Sequence, residues 1–107
     1  MRIAVAGLEG SEVKVHFGAA AAFRIFDLEA GELRLVELRR VSPYTEDRPY
    51  GHDFDAERFA PVADALADCA RVVCARIGDA PAQALRARGI KPVMHTGPLT
   101  DLAAPTA

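Results

Sequence analysis

The chain is 107 residues long, half hydrophobic and 26% charged, with a formal net charge of -2. That length and balance fit one folded domain with a modest core and exclude an intrinsically disordered segment. The acidic balance and the lack of a basic run argue against electrostatic binding of nucleic acid.

Arg2-Ile3-Ala4-Val5-Ala6 reads as an opening strand of small and branched residues. It breaks at Gly7, too early for a signal peptide or a membrane span, so a cytoplasmic protein is expected. Gly7, Gly10 and Ser11 mark a turn, and Glu12 to Val15 is a short extended piece that delivers His16 to a loop. Ala19 to Ala22 is read as a helical turn or bend. Phe23 to Leu28 alternates as a strand, Glu29-Ala30-Gly31-Glu32 turns it, and Leu33 to Val41 returns. Leu33, Leu35 and Glu37 are assigned to one face. Val36 and Leu38 break the alternation, and the expectation is that one end of this strand is more buried.

Residues 42–53 carry two prolines, two tyrosines, a glycine, His52 and several charges, a composition typical of a functional loop. Asp53 or Asp55 then caps a helix running to about Asp68, with Phe59, Val62, Ala63 and Leu66 at helical spacing. Pro61 requires either a start near Phe59 or a kink. Ala70 to Ala75 is an apolar, central strand. A helix from Gly78 or Asp79 through Arg88 tolerates Pro81 in its first turn, and Gly89 caps it. Ile90 to Met94 is a last strand, Pro98 to Ala103 a short helix, and residues 104–107 a frayed tail. The expected fold is therefore a single α/β domain over residues 1–103, with a mixed β-sheet of about five strands flanked by helices and a right-handed βαβ pattern in its second half.

His16, His52 and His95 all lie near strand ends or loops, where ligands of α/β sheets bind. For each alone, a solvated loop histidine is the commoner reading. Imidazole and thiolate nevertheless suit iron and iron–sulfur species. Cys69 and Cys74 lack zinc-ribbon or CxxC spacing and are read as free thiols filling the core. Arg76-Ile77-Gly78-Asp79 is a strand-to-helix junction whose free N–H groups and arginine suit an anion, although for this segment alone an ordinary turn with a surface arginine is the commoner reading. No GxSxG, HExxH, GxxxxGK or GxGxxG occurs, and the acids Asp27, Asp53 and Asp55 are too scattered to hold two catalytic ions. A metal-dependent hydrolase is therefore disfavoured, and the chain is not expected to be an enzyme.

Several segments together, in order, carry a family resemblance: Arg2-Ile3-Ala4-Val5-Ala6, His16-Phe17-Gly18, Phe23-Arg24-Ile25-Phe26-Asp27, Asp68-Cys69, Arg76-Ile77-Gly78 and Arg88-Gly89-Ile90-Lys91-Pro92. From about Met1 to Leu102 the chain resembles the dinitrogenase iron–molybdenum cofactor biosynthesis family, which includes NifX- and NafY-type carriers and the C-terminal domain of NifB-type proteins. The resemblance implies a ribonuclease H-like topology and transient binding, as cargo, of the iron–molybdenum cofactor or its iron–sulfur precursor. It implies cofactor-assembly proteins and apo-dinitrogenase as partners, with neither nucleic acid nor membrane. The resemblance implies His16 as a cluster contact, with His52 as a second metal contact. Joined to the Arg76 junction, the candidate cofactor-binding residues are His16, Phe17, Gly18, His52, Arg76 and Gly78. The loop that holds His52 contains no cysteine, so it offers no thiolate. The alternative is a regulatory or protein-interaction module of the same fold without a cluster. The hairpin's exposed edge strand leaves room for a homo-oligomer.

Overall fold

β1 (Arg2–Ala6) is built from residues small or branched enough to be covered on both sides, and it forms the middle of the sheet. The computed structural model describes residues 1–43 and 56–103. Against one edge of β1 lies β3 (Ala22–Glu29), antiparallel, and β4 (Glu32–Arg40) continues the hairpin outward. Ala30 and Gly31 turn the hairpin with positive φ angles of 51° and 77°. Against the other edge lie β5 (Arg71–Cys74) and β6 (Lys91–Met94), both parallel to β1. The five-stranded order is β4-β3-β1-β5-β6, a mixed sheet in an α/β domain as expected.

Alternation along β1, β3 and β5 sorts the core into two layers. Ala4, Ala6, Phe23, Ile25, Val72 and Cys74 face α1 (Ala56–Ala65) and α2 (Asp79–Ala87), which contribute Phe59, Val62, Ala63 and Leu85. Ile3, Val5, Phe26 and Val73 face the other way. Their cover is Val13 together with Leu99 and Leu102, brought in by a second sheet of β2 (Glu12–Val13) and β7 (Gly97–Pro98) and by the 3-10 helix Leu99–Ala103. This second sheet is absent from the sequence expectation. Strands of two residues leave no periodic signal, and their pairing joins segments far apart in the chain.

Two local expectations are corrected. α1 is already helical at Ala56, with Pro61 inside it rather than in a first turn near Phe59. Pro61 is exposed and has no N–H to give to the Glu57 carbonyl one turn back. In β4 the broken alternation marks a β-bulge, not a buried end. Pairing shifts between Ile25/Glu37 and Phe26/Leu35, leaving Val36 as the extra residue. Glu37 thus falls on the opposite face from Leu33 and Leu35, and most of β4 is exposed.

Candidate functional site at the strand ends

β1, β5 and β6 all end on the same side of the sheet, and the chain leaves them through Gly7, Ala75-Arg76 and His95. Ligands of parallel sheets bind at such carboxyl ends. Gly7 has φ of +117°, and a Cβ there would meet Val15 Cγ2 at 3.1 Å. Glycine therefore lets the outgoing loop fold back close to the sheet. Arg24 fixes that loop from below. Its guanidinium donates to the carbonyls of Gly7 (3.3 Å) and Gly10 (2.6 Å), and its side chain is buried. Burial lowers the Arg24 pKa, and the charge is tempered by Glu9. An arginine between Phe23 and Ile25 in an apolar strand was the available sequence signal for this strut.

The loop then delivers His16-Phe17-Gly18. The Phe17 ring is fully buried, tilted against Phe23 (5.9 Å between centroids) and Phe59 (6.1 Å). Its place is the core, so only its backbone faces the site. That backbone is stitched to the β5–α2 junction: the Phe17 N–H donates to the Arg76 carbonyl at 2.8 Å, and the Ala75 N–H donates to the Val15 carbonyl at 2.9 Å. Two segments remote in sequence, His16-Phe17-Gly18 and Arg76-Ile77-Gly78, are thereby neighbours.

His16 precedes the 3-10 helix Phe17–Ala19 and is exposed, with no side-chain cap bond. Arg76 is exposed, and among the described residues neither side chain is held by an ion pair. Gly78 is the N-cap of α2 and, lacking a side chain, leaves the first-turn N–H groups of that helix without a side-chain acceptor. Gly78 has ordinary φ, and a Cβ there would come no closer than 3.6 Å to Pro81. An imidazole, a guanidinium and a helix N-terminus together suit a negatively charged ligand that an imidazole nitrogen can also coordinate.

Cys74 lies directly beneath. Burial pushes its thiol up to about 11, while hydrogen bonding to the Phe17 and Arg76 backbone works the other way. Cys69, at the far end of β5, is likewise pushed to about 11 by burial first and Asp68 second. Both are free and buried, as core-filling thiols should be. His95 turns away from the site; its Nε2 lies 3.2 Å from the Pro98 carbonyl and 3.8 Å from Asp101. His52 lies outside the described residues. Among the described residues no three His, Cys, Asp or Glu side chains gather to hold a metal ion.

The sequence model of the dinitrogenase iron–molybdenum cofactor family matches residues 1–104. The chain belongs to this family. It is 40% identical over 91 residues to the FeMo cofactor biosynthesis protein NifB of Frankia alni, covering 85% of this chain but only 18% of that protein. It is 26% identical over 98 residues to protein NifX of Rhodobacter capsulatus, covering 92% of this chain and 61% of NifX. The chain therefore spans less than a fifth of the NifB relative's length. In fold it is similar to the crystal structure of PH0822, with a TM-score of 0.67 at 23% identity, over 96% of this chain and 86% of that one. Both the family description and the NifB relative's name refer to the iron–molybdenum cofactor, the latter to its biosynthesis. Among the described residues no helix is long and apolar enough to cross a membrane.

Proposed function

We propose that this domain binds and carries the iron–molybdenum cofactor, or its iron–sulfur precursor, during nitrogenase cofactor assembly, and that it does so without catalysing a reaction. The observation that carries this reading is the pair of backbone hydrogen bonds joining the His16 loop to the Arg76 junction at the strand ends. In this reading His16 is a metal contact, with His52 as a second. Arg76 and the N–H groups after Gly78 neutralise the cluster's negative charge, and Phe17 and Gly18 shape the loop. Few ligands, all on an exposed rim, favour release as well as capture, which a carrier requires. A cage of several thiolates would hold an iron–sulfur cluster far more firmly.

The same reading makes assembly proteins and apo-dinitrogenase the partners and the cytoplasm the place of action. The strand order supports the ribonuclease H-like topology that the family resemblance implies.

The test is anaerobic mixing with extracted iron–molybdenum cofactor, followed by gel filtration and electron paramagnetic resonance. Wild-type protein should elute coloured with a perturbed cofactor signal, and His16→Ala should retain much less. Wild-type protein that elutes colourless overturns the proposal and leaves a protein-interaction module of the same fold. Equal retention by the variant overturns the role of His16.

A further inference from the structure

Among the described residues, the outer edge of β4 is the longest strand edge with no strand paired to it. It is a nine-residue strand, and β3 is its only strand neighbour among the described residues. Leu35, Val36 and Leu38 are exposed there at 58%, 39% and 38%. Native sheets usually blunt such an edge with charge, brevity or a bulge, because it offers free backbone donors and acceptors to another strand.

The sequence of this edge, Glu32-Leu33-Arg34-Leu35-Val36-Glu37-Leu38-Arg39, reads as its own complement when reversed. Set antiparallel to a second copy about a two-fold axis between Leu35 and Val36, it places Arg34 opposite Glu37, Leu33 opposite Leu38, Leu35 opposite Val36 and Glu32 opposite Arg39. In a regular strand this register would fail. Consecutive residues point to opposite faces, so an axis between two residues would pair side chains from unlike faces. The bulge at Val36 removes that conflict. Arg34 pairs in β3 with Asp27, and Glu37 with Ile25, both on the helix-covered face. Leu33 and Leu38 pair with Leu28 and Arg24, both on the other face. The extra residue moves the alternation by one, so Arg34 and Glu37, Leu33 and Leu38, and Glu32 and Arg39 each share a face in the self-complementary register. The two bulges would lie opposite each other, each matching the other's added length.

We infer that β4 is a homodimerisation edge, joining two copies into one continuous sheet of ten strands, five from each. Arg34 and Glu37 carry the charge pairing. The Arg34 side chain is 77% exposed, touching Asp27 only at 3.5 Å. The Glu37 side chain is 49% exposed and would exchange its 3.2 Å ion pair with Arg39, which stays held by Asp68 and the Ala65 carbonyl. Opposite charges directly across an antiparallel pair stabilise it, and like charges destabilise it. The two-fold axis supplies each such pair twice.

The test is sedimentation of the full chain from about 10 µM to about 1 mM, the range in which a small interface associates. Wild type should move from monomer to dimer. Arg34→Glu sets glutamates against each other and Glu37→Arg sets arginines against each other, so each variant alone should associate at least about tenfold more weakly. An equimolar mixture of the two variants should dimerise again, because each then meets the opposite charge. Circular dichroism checks that both variants are folded, and Leu35→Lys provides an uncharged-pair control that should also weaken the dimer. Wild type that stays monomeric throughout overturns the inference. So does a dimer indifferent to both charge reversals, or folded variants that fail to associate on mixing.

Discussion

The two ends of β5 use charge in opposite ways. Before it, in the turn from α1, Asp68 accepts hydrogen bonds from Arg39 (2.9 Å) and Arg2 (3.0 Å), and Arg2 also reaches Asp27. Arg39 further donates to the Ala65 carbonyl at 2.7 Å, so one network ties β1, β3 and β4 to the end of α1. After β5, the Arg76 junction is held by backbone bonds and by the buried ring of Phe17, while Arg76 and His16 extend into solvent. One end consumes its charges in the fold. The other fixes its backbone by neutral means and so keeps its charged and titratable groups available to a ligand.

The largest effect on this contrast should come from Phe17→Ala. Removing a fully buried ring that packs on Phe23 and Phe59 should cost about 3–5 kcal/mol in urea unfolding. A loss below about 1 kcal/mol would show that the ring does not anchor the site loop. Next, Gly7→Ala forces a side chain into a φ of +117° against Val15 and should cost roughly 1–3 kcal/mol. An unchanged denaturation midpoint would sever the loop from the sheet.

Asp68→Asn should be milder, about 1 kcal/mol at neutral pH, because the carboxylate is nearly half exposed and water screens its ion pairs. Its pH signature is sharper. Hydrogen bonding from Arg39 first, and from Arg2, holds the Asp68 carboxyl well below the usual carboxylate range. The folded state thus binds the proton less readily than the unfolded chain. The added stability is present above a pH of about 4 and is lost as the pH falls towards the folded value. Wild type should therefore lose more stability than Asp68→Asn between about pH 5 and pH 2. Parallel acid limbs would remove Asp68 from the account. The smallest effect on stability belongs to His16→Ala and Arg76→Gln, each within about 0.5 kcal/mol. Destabilisation beyond that would mean that the exposed rim also supports the fold.

Much of this architecture was legible because it is local. The Arg2–Ala6 strand, the hairpin around Gly31 and the helix after Gly78 follow from alternation, turn residues and capping. What escaped depends on distant partners. Arg24 looks like an exposed strand residue until the Gly7–Gly10 loop folds over it, and the Val13 cover exists only once Gly97 arrives to pair with it. The break at Val36 was visible, but its cause was not, since a bulge is a property of two strands. At the site, the order of His16 and Arg76 along the chain gave no hint of their adjacency, which the Phe17 and Ala75 backbone bonds create.

The central place of β1 has a consequence for how the chain is made. β1, β3 and β4 lie within the first 40 residues and form an antiparallel half-sheet from contacts between near neighbours. The other edge of β1 must then wait for β5, and β5 for β6, whose parallel pairings close long loops and form slowly. The seam between the local half of the sheet and the long-range half is therefore the middle of the final sheet, and the His16 loop meets its Arg76 neighbour only through the β1–β5 pairing across that seam.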